Sequence, residues 1–319
     1  MSAETIAFLF PGQGSQTVGM GRDLAEHFPA AKAVFDEADE ALGYSLSKLC
    51  FEGPEEQLKQ TEFTQPAILT VSVAAARVLA ERGVTPAVAA GHSLGEYSAH
   101  VIAGTFSFAD AVRTVRARGQ FMQEAVPTGK GAMSAILGLE ADRISDLCQQ
   151  ASDEHNCTVA PANMNAPEQT VISGDAAAVA RAGELCKEAG AKRVVPLPVS
   201  APFHCNLMAP AAERLASELE RVVFLDPAIP VASNVDARMV TRRSEARDAL
   251  IRQVTGAVRW TECIDHIREC SEPTLWIEVG PGRVLSGLLR QIDRGLKSAN
   301  VEDSASLEKT LALLNPSAA

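Results

Sequence analysis

The sequence predicts an α/β fold: a large subdomain built on a parallel sheet, with a smaller ferredoxin-like βαββαβ unit inserted into it. Two observations carry this. Apolar runs at 5–10, 86–90 and 275–279 each enter a glycine-containing turn and then helix-compatible sequence, the alternation that parallel strands with crossover helices require. Between 128 and 199 the periods instead read strand, helix, two strands, helix, strand. The large unit is therefore expected to comprise 1–127 and 200–319, and the insert 128–199.

Taken in order, the first strand runs into Pro11-Gly12-Gln13-Gly14-Ser15-Gln16. No Gly-Lys-Ser/Thr follows, as a Walker loop requires, and Thr17 stands where a dinucleotide loop needs glycine. Two readings stay open: a simple turn, or glycines that let backbone amides, especially that of Gln13, face a reacting centre. Val34, Phe35, Ala38 and Leu42 share one helical face ended by Gly43. Pro66 is expected to open a helix carrying Ile68, Leu69, Val73, Ala76 and Leu79; being apolar nearly all round, it should be buried. Next comes Gly91-His92-Ser93-Leu94-Gly95 between a strand and a helix. A serine at that corner is held in a strained turn that exposes its hydroxyl above the helix amides, as in α/β-hydrolase-like folds.

Residues 108–126 form a helix with Ala111, Val112, Val115, Met122 and Ala125 on its apolar stripe. Arg113 and Arg116 point away from that stripe, but Arg118 lies on its edge. A guanidinium there needs an anion: a structural carboxylate, or a substrate carboxylate held through two parallel bonds. In the insert, Ile144, Leu147, Cys148 and Ala151 mark one helix, and Asp175 is placed to cap the second. Beyond it come the loop Ser200-Ala201-Pro202-Phe203-His204-Cys205, a helix through Met208, Leu215 and Leu219, a strand at 230–233, and a helix to Thr255. The strand at 275–279 then leads through Gly280-Pro281-Gly282 to a helix with Val284, Leu285, Leu288 and Leu289. Residues after Leu296 are polar and expected at the periphery.

Composition narrows the function. With 319 residues, 46% hydrophobic and 22% charged, the chain can bury a substantial core, so disorder is not expected. A net charge of -11 without clustered Lys and Arg argues against nucleic-acid binding. The start lacks a basic n-region and its apolar run is cut by Pro11, so neither a secretory leader nor a membrane span is expected. Seven scattered cysteines without a C-x-x-C pair fit a reducing cytoplasm, and Cys205 reads as a core residue before it reads as a catalytic thiol.

A serine hydroxyl near neutral pH needs a base. Of six histidines, His27, His100, His155 and His266 sit in structural or solvated settings, and His92 adjoins the serine in a turn where neighbours point apart. His204, in a loop just after a strand, is the best placed.

Five stretches in order, Phe10 to Gln16, Gly91 to Tyr97, Asn163-Met164-Asn165-Ala166-Pro167, Ser200 to His204 and Glu278 to Gly282, resemble the malonyl-CoA:acyl-carrier-protein transacylase family of the bacterial stand-alone type. The likeness covers nearly the whole chain. It implies Ser93 as nucleophile and His204 as its base, with the imidazole oriented by the main-chain carbonyl at Gln253. It further implies an oxyanion hole from the amides of Gln13 and Leu94, and Arg118 as clamp on the malonyl carboxylate. Met122, Phe203, Asn163, Asn165 and His92 are the implied substrate-side residues, Phe203 limiting room for an α-branch. Glu168 and Ala257 stand where the family often has glycine and proline. Malonyl-CoA and acyl carrier protein are the implied partners, with coenzyme A as part of the substrate, no separate cofactor or metal, and a monomer expected. Lys192, Arg193 and Arg290 are candidate carrier contacts. Two alternatives remain: an α/β-hydrolase-type serine esterase or thioesterase, whose order would be Ser, acid and a late His, and a non-catalytic carrier-binding subunit.

Overall fold

A computed structural model describes residues 4–199 and 201–314; Ser200, first residue of the expected histidine loop, lies outside them. Strands are β1 (Ile6–Phe10), β2 (Val88–Gly91), β3 (Gly131–Leu137), β4 (Val159–Ala166), β5 (Gln169–Asp175), β6 (Arg193–Pro196), β7 (Val231–Ala232), β8 (Met239–Val240), β9 (Leu275–Val279) and β10 (Ser298–Val301).

Six of them form one sheet in the order β10-β9-β1-β2-β7-β8. All its pairs are parallel except β7 with β8. Every residue of β1, β2 and β9 is buried, as strands covered on both faces by helices must be. Phe10 is in register with Gly91, so the loops after β1 and β2 leave the same sheet edge side by side. That edge, at the carboxyl ends of central parallel strands, is where open α/β sheets build their sites.

The other four strands form an antiparallel sheet, β4-β5-β3-β6, the ferredoxin-like order. Its helices, Ala141–His155 and Ala176–Glu188, close a separate core of Ile136, Ile144, Leu147, Ile172, Val179 and Leu185. Asp175 stands at the start of the second helix but does not cap it; its Oδ2 accepts the Thr158 amide at 2.7 Å, a bond that ties β5 to the entry of β4.

Three further expectations are corrected, and one helix is added. The apolar helix spans Thr61–Glu81, so Pro66 lies inside its second turn and does not open it. At this sixth position the missing N–H removes the i→i−4 bond to the Glu62 carbonyl, so the proline interrupts the ladder early and leaves the rest of the helix intact. This helix is long and apolar enough to cross a membrane by composition, yet 83% of its apolar 18-residue stretch is buried within the protein. Residues after Leu296 are not peripheral: β10 pairs with β9, and the helix Ser304–Leu314 buries Leu307 and Thr310 beneath it. The strand expected at 230–233 is only two residues long and turns back into β8. A helix at Trp260–Ser271, which buries Trp260, Cys263, Ile264 and Ile267, was not anticipated, although that i, i+3, i+4, i+7 spacing signals it.

Candidate active site

Ser93 follows β2 and precedes the helix Gly95–Ile102, at φ 51°, in the left-handed region that non-glycine residues seldom adopt. Two glycines make that turn possible. A Cβ on Gly91 would lie 1.8 Å from the Gly95 carbonyl carbon, and one on Gly95 would lie 2.0 Å from the Phe10 carbonyl oxygen. The Ser93 amide donates to Asn234 Oδ1 at 2.7 Å, while Asn234 Nδ2 donates to the Gly91 carbonyl at 2.8 Å. Asn234 thus pins the strained turn from the loop after β7.

Ser93 Oγ lies 2.8 Å from Nε2 of His204. On the far side of the ring, Nδ1 is 2.9 Å from the main-chain oxygen of Gln253. A carbonyl only accepts, so Nδ1 carries the proton and Nε2 is left as acceptor for the serine hydroxyl. His204 also has positive φ, 61°, and is buried. Burial, then the charge of Arg118, pushes its pKa down to about 3, so the resting ring is neutral.

Arg118 reaches the serine from the helix Phe108–Glu124 and is 1% exposed, far deeper than a position at the stripe's edge suggests. Nη1 donates to Gln65 Oε1 at 2.8 Å; Nη2 donates to Gln253 Oε1 at 2.9 Å and to Ser93 Oγ at 3.1 Å. The Tyr97 ring lies 5.5 Å from the guanidinium carbon. All three acceptors are neutral, and none of the ion pairs among the described residues includes Arg118. Its two neighbours behave otherwise: Arg113 pairs with Asp110 at 2.8 Å, and Arg116, only partly exposed, with Glu62 at 3.1 Å.

These groups meet in a cavity of about 470 Å³ between the two sheets, lined by Gln13, His92, Ser93, Leu94, Arg118, Met122, Asn163, Phe203 and His204. Nine of the eleven expected site residues therefore face one space. Gln253 sits behind it, fully buried, and Asn165 bonds His92 Nε2 at 2.7 Å instead of facing the cavity. No protein acceptor takes the amide N–H of Gln13 or Leu94 among the described residues, and both residues border the cavity beside Ser93. The positive end of the serine helix adds to the field there. Gln65, Asn234 and the buried carboxylate of Glu96 escaped sequence reasoning as parts of the site. The cue for Gln65 and Glu96 was a polar side chain on an otherwise buried helix; Asn234, in a loop, offered none.

The arrangement can carry out acyl transfer: an exposed hydroxyl, a neutral imidazole aimed at it, free amides beside it and a cation one bond away. Comparison with known proteins agrees. The acyl transferase domain family matches residues 7–312. The chain belongs to that family. The "Malonyl CoA-acyl carrier protein transacylase" of Bacillus subtilis is 50% identical over 97% of this chain and 97% of its own length. A crystal structure of an acyl carrier protein S-malonyltransferase from Vibrio cholerae superposes with TM-score 0.93 at 51% identity, covering 96% of this chain and 99% of that one. A type II PKS acyl-carrier protein in complex with its malonyl-transacylase gives 0.93 at 48% identity over 97% and 99%. In this acyl transferase the imidazole is held by a main-chain carbonyl, not by the carboxylate that an α/β-hydrolase esterase places there.

Proposed function

We propose that this chain transfers the malonyl group of malonyl-CoA to the phosphopantetheine thiol of acyl carrier protein through a malonyl ester on Ser93. One observation carries the reading: Ser93 Oγ is shared between His204 Nε2 at 2.8 Å and a buried guanidinium without a counter-ion at 3.1 Å. The names of the relatives support the same substrates. A dicarboxylic acyl group supplies the anion that Arg118 lacks, and an acetyl group does not.

As the hydroxyl attacks the thioester carbonyl, its proton passes to His204 Nε2 and the oxyanion forms beside the amides of Gln13 and Leu94. The carbon–sulfur bond breaks, and coenzyme A leaves with the proton returned by His204. The carrier thiol then attacks the ester, His204 takes its proton, and Ser93 leaves as the reprotonated hydroxyl. A thiolate is a good leaving group, so an imidazole oriented by a carbonyl is sufficient.

Coenzyme A enters as part of the substrate, and no separate cofactor is assigned. The chain acts as a monomer in the cytoplasm; seven free cysteines accord with a reducing compartment. Residues 128–199 serve as an inserted subdomain on a catalytic unit of 1–127 and 200–319, a division supported by the insert's separate apolar core. The test is mass spectrometry: incubation with malonyl-CoA should add one malonyl group on the Ser93 peptide, and holo carrier protein should remove it. No adduct, or discharge to water faster than to the carrier, would refute the proposal.

A further inference from the structure

Glu96 is wholly buried three residues after Ser93, yet the acyl-transfer steps give it no part. Its Oε2 accepts from Gln253 Nε2 at 2.6 Å and from the main-chain N–H of Asn234 at 3.1 Å. Gln253 Nε2 also donates to the Ser93 carbonyl at 3.0 Å, while its Oε1 receives Arg118 Nη2 at 2.9 Å. An amide can be placed two ways round, and here only one works. Reversed, its oxygen would face a carboxylate and a carbonyl, and its NH₂ would face a guanidinium.

We propose that Glu96 is a positioning residue for Arg118: its carboxylate fixes the sense of the Gln253 amide, whose oxygen then holds the guanidinium open for the acyl carboxylate. The inference rests on the clamp reading of Arg118. Charge supports it as well as geometry. Arg118 touches only neutral acceptors, and Glu96 supplies a negative charge one glutamine away. A carboxylate in direct contact would stabilise the cation but occupy the edge the substrate needs. Held behind Gln253, it offsets burial of the cation without itself taking up a guanidinium N–H.

Burial pushes Glu96 up to about 7, so its charge is partly lost near neutrality. The charged and titratable groups facing it are Arg118, Tyr97, Asp236 and Cys263. Burial raises Tyr97 and Cys263 and so keeps them neutral, and Arg252 holds Asp236 ionised. Glu96 is thus the member of this set that changes charge near pH 7.

The experiment measures single-turnover acylation of Ser93 by malonyl-CoA and by acetyl-CoA in the native chain, Glu96→Gln and Arg118→Ala. Glutamine is nearly isosteric but carries no charge, and because its own amide can present NH₂ as readily as oxygen it no longer fixes the sense of Gln253. Glu96→Gln should slow malonyl acylation about tenfold or more beyond any slowing of acetyl acylation, as expected for loss of one charge-assisted bond. An unchanged ratio, or equal loss of both rates, overturns the proposal. If Arg118→Ala loses the preference and Glu96→Gln keeps it, only this inference fails; if Arg118→Ala keeps the preference, the clamp reading fails too. In the native chain the ratio should rise as pH increases through about 7, and Glu96→Gln should abolish that rise; the same rise in Glu96→Gln overturns the proposal.

Discussion

Arg118 Nη2 stands 3.1 Å from the Oγ of Ser93 and 2.9 Å from Gln253 Oε1, a buried cation held wholly by neutral oxygens. Burial lowers its pKa, but an arginine so affected still keeps its proton. Removing it with Arg118→Ala should slow malonyl transfer about a hundredfold or more, the usual consequence of deleting one member of a buried charge pair. Acetyl transfer, which has no carboxylate to pair, should persist or rise. Stopped-flow acylation with both thioesters checks this, and parallel losses would assign Arg118 to folding alone.

His204 gives a prediction about pH. Its pKa is depressed to about 3 first by burial and next by the positive charge of Arg118. A malonyl carboxylate on Arg118 cancels the second cause, so the imidazole becomes a stronger base once substrate is bound. The acid limb of kcat, which reports the complex, should therefore lie at higher pH than that of kcat/KM, which reports the free enzyme. With acetyl-CoA the two limbs should coincide. Coincident limbs with malonyl-CoA would mean that Arg118 and the bound carboxylate do not meet.

How far the sequence reveals the site follows from how each residue is held. Ser93 is legible because its local turn demands Gly91 and Gly95, and Arg118 because a charge on an apolar helical stripe is anomalous. Asn234 was not, since its bond to the Ser93 amide spans 141 positions and rests on a two-residue strand too short to show a period. Gln253 was placed for its carbonyl, but nothing local indicates that its side chain joins Arg118 to Glu96. In the fold, β10 was missed because Ser298–Val301 is an edge strand whose first three residues are only half-buried, so it lacks the apolar run that marks β1 and β9.

The serine turn has no room for an added methyl at either of its glycines. A Cβ at Gly95 would meet the Phe10 carbonyl oxygen at 2.0 Å, and backbone cannot yield as a side chain can. Gly95→Ala should therefore push the serine helix off β1 at a cost of about 1–3 kcal/mol, with loss of acylation out of proportion to the loss of stability. Urea unfolding alongside acylation of the still-folded fraction tests the separation. A variant that acylates normally would show that the helix can shift without moving Ser93.

His100 supplies a stability prediction independent of catalysis. It is fully buried in the serine helix, its Nδ1 is 3.0 Å from Thr105 Oγ1, and its Nε2 has no partner. Burial pushes its pKa from 6.5 down to about 3. Between those values the unfolded chain binds a proton that the folded chain refuses, so stability present above 6.5 is lost as pH falls toward 3. The loss from this one group should reach roughly 2 kcal/mol at about pH 5. His204 is depressed to a similar value and adds to the same slope. His100→Leu, which removes the titrating ring and keeps the site apolar, should flatten the fall in urea midpoint between neutral and mildly acid pH. An undiminished fall would locate the acid sensitivity in His204 or in the carboxylates instead of in His100.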